Sequence, residues 1–337
     1  MSVDTAVVMM NLGGPDSLEA VEPFLYNIFS DPDVLQLPLG FLYQKALARK
    51  ISRSRAAESA ECYRKVGGRS PILELTREQG ALLEKALGPG FKTYVAMRAW
   101  KPFTEEAVEA LLADGAKEVV ALPLYPQRSR TTSLSSQREL KRLLAKKAPG
   151  LPLREICCYP TESGLVGGWV ERICGALGAL PEGRRARAHV LFSAHGLPKS
   201  VVDGGDPYLS QVQATVAAVM QRLGSGQPHS LAFQSKATRA KWLEPSTQDA
   251  LAALARSGVE DVAVVPIAFL TDHIETLYEL DLLIRDHARA VGIPHYHRVA
   301  ALNGSSALIE GLARLVRKAL ALETPVCEGG PIACPRV

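Results

Sequence analysis

A helix–strand segment occurs twice in this chain. Thr104–Leu124 (TEEAVEALLADGAKEVVALPL) aligns without gaps on Thr247–Ile267 (TQDALAALARSGVEDVAVVPI). In each copy an amphipathic stretch runs into a glycine, then a charged pair, a continuous apolar run and a proline. Ala6–Pro15 (AVVMMNLGGP) is likewise similar to Ala188–Pro198 (AHVLFSAHGLP), each reading as a strand that ends in a turn of small residues. Repetition of one βα unit at two places limits the fold to two similar α/β domains, with a cleft between them as the natural ligand site.

The apolar runs supply the architecture. Ala6–Asn11, Lys92–Met97, Glu118–Leu124, His189–Ser193, Ser230–Phe233 and Val262–Phe269 read as buried strands, with amphipathic helices such as Thr104–Asp114 and Pro207–Leu223 between them. A strand covered on both faces needs no polar alternation, so this pattern predicts parallel sheets flanked by helices. In such sheets ligands sit beyond the carboxyl ends of the strands. Function is therefore expected in the loops after Asn11, Met97, Leu124, Ser193, Phe233 and Phe269.

The richest loop is the last, Phe269-Leu-Thr-Asp-His-Ile-Glu-Thr-Leu-Tyr-Glu-Leu-Asp281. On an α-helix, Asp272, Glu275 and Glu279 share one face, with His273 beside Asp272. Carboxylates in a row repel unless something positive lies among them, and a metal ion or a shuttled proton meets that need. His195, in Ser193-Ala-His-Gly-Leu-Pro198, is flanked by small residues that leave its imidazole open to a large flat ligand; such a group suits proton abstraction near neutral pH. The Pro123–Pro126 loop continues into Arg128, Arg130 and a run of hydroxyls, which suits either the carboxylates of an organic acid or a helix N-cap. Asn11-Leu-Gly-Gly-Pro15 lacks the spacing of a dinucleotide fingerprint and the lysine of a P-loop, so no nucleotide is expected.

The 337 residues favour two domains over one. A formal net charge of +4, with Lys141, Arg142, Lys146 and Lys147 on one helical stretch, reads as a solvated face and not a nucleic-acid surface. No apolar run is long enough to span a bilayer and no signal peptide is visible, so a cytoplasmic protein is expected, with peripheral contact at an inner membrane allowed. Six cysteines in such a setting argue against a disulfide framework.

Taken in order, the loop motifs resemble the ferrochelatase family. They are Asn11-Leu-Gly-Gly-Pro15, Gly67-Gly-Arg-Ser-Pro71, Met97-Arg-Ala-Trp100, Leu122-Pro-Leu-Tyr-Pro-Gln127, Ser193-Ala-His-Gly-Leu-Pro198, Gln234-Ser-Lys236, Asp272–Asp281 and Val299–Asn303. The resemblance implies two Rossmann-like domains with parallel sheets and an interdomain porphyrin cleft: 1–157 with 306–322, then 158–305, followed by a tail, 323–337. It implies protoporphyrin IX and ferrous iron as substrates, with His195 as the central base and Glu275 as the carboxylate opposite. Asp272, His273 and Glu279 would join those two in handling the metal and the charge. Leu12, Arg98, Trp242 and Phe269 would line the macrocycle, and Phe29–Phe41 would be a mobile lip over it. Leu12 stands where many relatives have Met, Arg69 replaces a Gly, and Lys101 replaces a common His.

Some members of that family hold a [2Fe–2S] cluster on one internal and three C-terminal cysteines. This tail has Cys327 and Cys334, in Cys-Glu-Gly-Gly-Pro-Ile-Ala-Cys, with Cys157, Cys158 and Cys174 as internal candidates. With only two cysteines in the tail, the chain departs from that pattern, and a cluster here is expected on Cys157, Cys158, Cys327 and Cys334. Insertion of iron into coproporphyrin, insertion of cobalt, and a porphyrin carrier without chemistry are the competing readings.

Overall fold

The computed structural model describes residues 3–34, 40–224, 226–236, 240–328 and 334. The chain forms two units, Met1–Cys158 with Leu312–Cys327, and Tyr159–Gly311 with Glu328–Val337. The centre of the Phe29–Phe41 segment, residues 35–39, lies outside the described residues.

The first unit is built on a parallel sheet in the order β2-β1-β3-β4-β9. The strands are β1 (Thr5–Asn11), β2 (Phe91–Met97), β3 (Glu118–Pro123), β4 (Leu153–Cys158) and β9 (Val326–Cys327). Every residue of β1 is buried, as its unbroken apolar sequence requires of a central strand. Helix Thr104–Ala113 packs Ala107, Val108 and Leu111 against Val8, Met10, Val119 and Ala121. Each fully buried aliphatic side chain of this kind contributes about 1.5–3 kcal/mol.

The second unit repeats the plan with order β6-β5-β7-β8, again parallel: β5 (His189–His195), β6 (His229–Gln234), β7 (Asp261–Val265) and β8 (His295–Arg298). Ala250 and Leu251 of helix Thr247–Arg256 pack with Leu191, Val262 and Val264. The strand registers correspond residue for residue. Ala6 pairs with Val119 as His189 pairs with Val262, and Asn11 pairs with Met97 as Ala194 pairs with Phe233. The expected α/β class with two parallel sheets is thus what the chain adopts, and the duplication covers both sheets. Each unit also has a cis proline, Pro102 or Pro245, ahead of its repeated helix, and a π-helix after its third strand, Arg130–Leu134 or Glu275–Ile284. By this correspondence Leu12 in the first unit occupies the place of His195 in the second.

The structure differs from the sequence reading at the edges. The strand read over Val262–Phe269 stops at Val265, because Pro266 has no N–H to continue the ladder. Strands β4, β8 and β9 carried no recognisable pattern. The cations read as a solvated face are ion-paired on the surface, Lys141 to Glu155, Arg142 to Glu139, and Lys147 to Glu105 and Glu109. No helix among the described residues is long and apolar enough to cross a membrane.

One close approach in the second unit fixes a glycine. Buried Glu162 caps helix Ser163–Gly178, accepting from Gly164 N at 2.6 Å and Leu165 N at 2.9 Å. A β-carbon on Gly311 would collide with that carboxylate. Gly311→Ala is expected to cost about 1–2 kcal/mol, the worth of an N-cap, read as a lower urea midpoint with an unchanged slope. An unchanged midpoint would show that the cap relocates freely.

Candidate active site

In the second unit, β5 ends on His195, which pairs with Gln234 of β6. Ser193 Oγ donates to Gln234 Oε1 at 2.7 Å, and the Tyr208 hydroxyl donates to the His195 carbonyl at 3.0 Å, so the strand ends are cross-linked below the imidazole. Gly196 follows because nothing larger fits: a β-carbon there would lie 2.8 Å from the Gln234 carbonyl oxygen and 3.3 Å from Trp242 Cε3. Trp242 lies against Gly196 and is bridged through its backbone to Pro198.

The partner of His195 comes from the π-helix Glu275–Ile284. Glu275 Oε2 lies 2.7 Å from His195 Nδ1. The wider turn of a π-helix brings residues four apart nearly into line, and Glu275 and Glu279 both reach one serine. Ser235 Oγ is 2.7 Å from Glu275 Oε2 and 2.6 Å from Glu279 Oε2, while Ser235 N donates to Glu279 Oε1 at 2.8 Å. Ser235 has φ +66°, a left-handed conformation that a non-glycine residue adopts at a cost. Gln234 Nε2 adds a bond to Glu279 Oε2 at 3.3 Å and to the Glu275 carbonyl at 3.1 Å.

The electrostatics follow from burial and proximity. Burial disfavours the His195 cation, yet the Glu275 carboxylate, by charge and hydrogen bond, and Glu279 behind it outweigh burial and raise the imidazole pKa. Burial also disfavours the Glu275 carboxylate, but His195 more than offsets this and its pKa is lowered. Glu279 is pushed up, by burial first and by the Glu275 charge second. The arrangement is an imidazole–carboxylate pair with a second carboxyl group that holds its proton more readily.

Asp272 is placed differently from the expected row of three carboxylates. It precedes the helix, and its oxygens accept from Thr276 Oγ1 at 2.8 Å, Asn303 Nδ2 at 2.9 Å and Arg298 Nη1 at 2.9 Å. Arg298 also binds Asp281 at 2.6 Å. The positive group that the acidic run needs is, for Asp272 and Asp281, an arginine of β8. His273 packs its ring on Phe269 with centroids 4.6 Å apart, and Phe269 meets the His195 ring edge-on at 6.4 Å. Among the described residues, buried His273 Nδ1 has no hydrogen-bond partner, and burial lowers its pKa. The structure thus gathers His195, Glu275, Glu279, His273, Phe269 and Trp242, with Asp272 at the margin. Ser235 and Arg298 carry the arrangement, and neither was singled out by sequence.

In the first unit, Arg98 is held by Asp31 Oδ2 at 2.9 Å and by Ser135 Oγ at 2.8 Å, and Ser135 Oγ donates to the same Asp31 oxygen at 2.8 Å. Leu12 is half-buried at the end of β1, and its carbonyl accepts from Ala99 N at 2.8 Å.

Three thiols gather at the edge of the first sheet. The β4–β9 register sets Cys327 beside Cys158, with their sulfurs 3.3 Å apart. The Cys157, Cys158 and Cys327 sulfurs lie within 4.8 Å of one another. Arg128 Nη1 donates to Cys157 Sγ at 2.7 Å. Cys334, in the second unit, accepts from Gln211 Nε2 at 3.3 Å. Cys174 is exposed and Cys62 half-buried.

Comparison with known proteins identifies the family. The family model described as Ferrochelatase matches residues 4–320. A ferrochelatase of Geotalea daltonii is 44% identical over 317 residues, covering 94% of this chain and 98% of the relative. A ferrochelatase of Gloeobacter violaceus is 43% identical over 322 residues, covering 93% and 97%. Among solved structures, SirB from Bacillus subtilis with Fe3+ matches at a TM-score of 0.56 and 14% identity, covering 94% of this chain and 96% of that one, a likeness of fold alone. The chain belongs to the ferrochelatase family, whose members insert a metal ion into a porphyrin.

Proposed function

We propose that this chain inserts ferrous iron into protoporphyrin IX to form protohaem, a lyase reaction that completes haem. The observation that carries the reading is the 2.7 Å pair of His195 Nδ1 and Glu275 Oε2 at the end of β5. Metallation releases two pyrrole N–H protons as Fe²⁺ enters, so charge balances only if a base within reach of the ring centre removes them. His195 takes a proton at Nε2, the nitrogen that does not face Glu275, and Glu275 stabilises the imidazolium that results. Glu279, joined to Glu275 through Ser235, is the next group along the acidic path. Asp272 anchors the start of that path, and His273 and Phe269 form its apolar wall. A carrier without chemistry has no use for a buried base paired with a carboxylate.

Protoporphyrin is favoured over coproporphyrin by the cations. The latter carries more carboxylates, yet the guanidinium of Arg98 is engaged by Asp31 and Ser135, and that of Arg128 by Cys157. Leu12, Trp242 and Phe269 are the proposed apolar contacts of the macrocycle. The proposed setting is the cytoplasm, with peripheral contact at the inner membrane and no nucleotide or nucleic acid.

We also propose a [2Fe–2S] cluster on Cys157, Cys158, Cys327 and Cys334. The donor set fits: three thiols are gathered at one sheet edge with a buried guanidinium beside them, which suits anionic sulfur. A cluster there would tie the C-terminal strand to β4.

Three outcomes are expected. In anaerobic assays with Fe²⁺ and protoporphyrin, followed by porphyrin absorbance, His195→Ala should lose about 10²–10⁴-fold in kcat with porphyrin affinity largely kept. A near-wild-type rate would remove His195 from proton abstraction. Ser235→Gly, which keeps the left-handed backbone and deletes the hydroxyl, should lower kcat about tenfold, the worth of one hydrogen bond to a charged group. An unchanged kcat would take Ser235 out of the path. Protein purified without oxygen should be coloured and contain iron and acid-labile sulfide in equal amounts; a colourless, sulfide-free protein would end the cluster reading.

A further inference from the structure

Arg128 is a polar residue of the first unit that the metallation mechanism does not use. It follows β3 in the Pro123–Pro126 loop, and the pairing of β3 with β4 carries that loop toward the end of β4, where Cys157 and Cys158 lie. The arginine is only 9% exposed and Cys157 only 6%. Burying a guanidinium is costly unless its donors meet acceptors of matching charge. One acceptor it meets is a sulfur, Cys157 Sγ. A neutral thiol is a weak acceptor, so a buried obligate cation set against this sulfur suits one that carries negative charge, as a cluster ligand does.

We infer that Arg128 is a positioning residue for the iron–sulfur cluster: its guanidinium orients Cys157 as a ligand and sets how readily the cluster is reduced. This rests on the reading that these cysteines hold a cluster. Reduction adds one electron, and therefore one negative charge, to the iron–sulfur unit. A fixed cation bonded to a ligand sulfur stabilises the reduced form more than the oxidised one and raises the potential, because charge and hydrogen bonds to the sulfurs are the means by which a protein tunes such a centre.

The same cation accounts for a departure in the loop. Arg128 stands where a porphyrin carboxylate partner was one possible reading of the sequence, but its Nη1 points to sulfur. The nearby Arg130 starts the π-helix Arg130–Leu134 and has no part in this inference.

The test uses the full chain purified without oxygen, as wild type, Arg128→Met and Arg128→Lys. Iron and sulfide per chain are measured first, and each protein is then titrated with dithionite against mediators while the visible spectrum is followed. Arg128→Met should shift the reduced-to-oxidised ratio at a fixed potential about tenfold toward oxidised, which is about 59 mV for one electron, and should lose iron faster to a chelator. Arg128→Lys, which keeps the charge without the planar fork, should shift it less. Variants that titrate with the wild type and hold iron equally well would overturn the inference while leaving the cluster in place. Wild type lacking iron and sulfide would overturn the cluster reading itself, and the inference with it. If Arg128→Met does not fold by circular dichroism, Arg128→Gln takes its place: a wild-type potential and iron retention there would overturn the inference, and a shift toward oxidised would support it.

Discussion

The chemistry proposed for this protein depends on keeping an imidazole and a carboxylate in contact at the end of one strand. Burial works against the charged form of each, and each favours the charged form of the other. Glu275 therefore stabilises the imidazolium that forms when His195 takes a proton, and removing either partner removes that support. Much of the second unit serves this contact. β5 delivers the histidine, β6 delivers Gln234 and Ser235, and the π-helix after β7 delivers the glutamates. Hydrogen bonds from Ser193 to Gln234, and from Gln234 to Glu279, connect the three deliveries.

The duplication shows how such a site is built on one half of a repeated fold. Both units end their central strand in a turn of small residues and follow the third strand with a π-helix. At the position of His195 the first unit has Leu12, and its π-helix carries Arg130-Thr-Thr-Ser-Leu134 in place of a carboxylate run. The first unit instead buries Asp31 against Arg98 and Ser135, and uses the edge beyond β4 to collect thiols. One scaffold therefore supports a basic apparatus in one copy and apolar, cationic and sulfur-bearing surfaces in the other.

The central strands and their helices were legible in the sequence because burial on both faces leaves unbroken apolar runs such as Val7–Met10. The duplication was legible for the same reason. Edge strands were not: β8 is His-Tyr-His-Arg, half-buried throughout, and β9 has only two residues. His195, Glu275 and Glu279 could be named from strand ends and charge spacing. The fate of Asp272 could not, because its counter-ion Arg298 is 26 residues away and reaches it through the β7–β8 pairing. Ser235 was equally hidden, since its role depends on a backbone angle that no residue pattern announces. The helix was read as including Asp272, which precedes it, and that error is what put three carboxylates on one face.

The most direct test of this account is the titration of the His195 imidazole by ¹⁵N NMR, in wild type and in Glu275→Gln. The folded-state pKa is raised by Glu275, so the account places the wild-type value above the ordinary histidine value of about 6.5. Removing the Glu275 charge leaves burial opposed only by the weaker pull of Glu279, and the value should fall. A His195 that titrates below its ordinary value in wild type, or that does not respond to Glu275→Gln, would contradict the pairing on which the proposed proton abstraction depends.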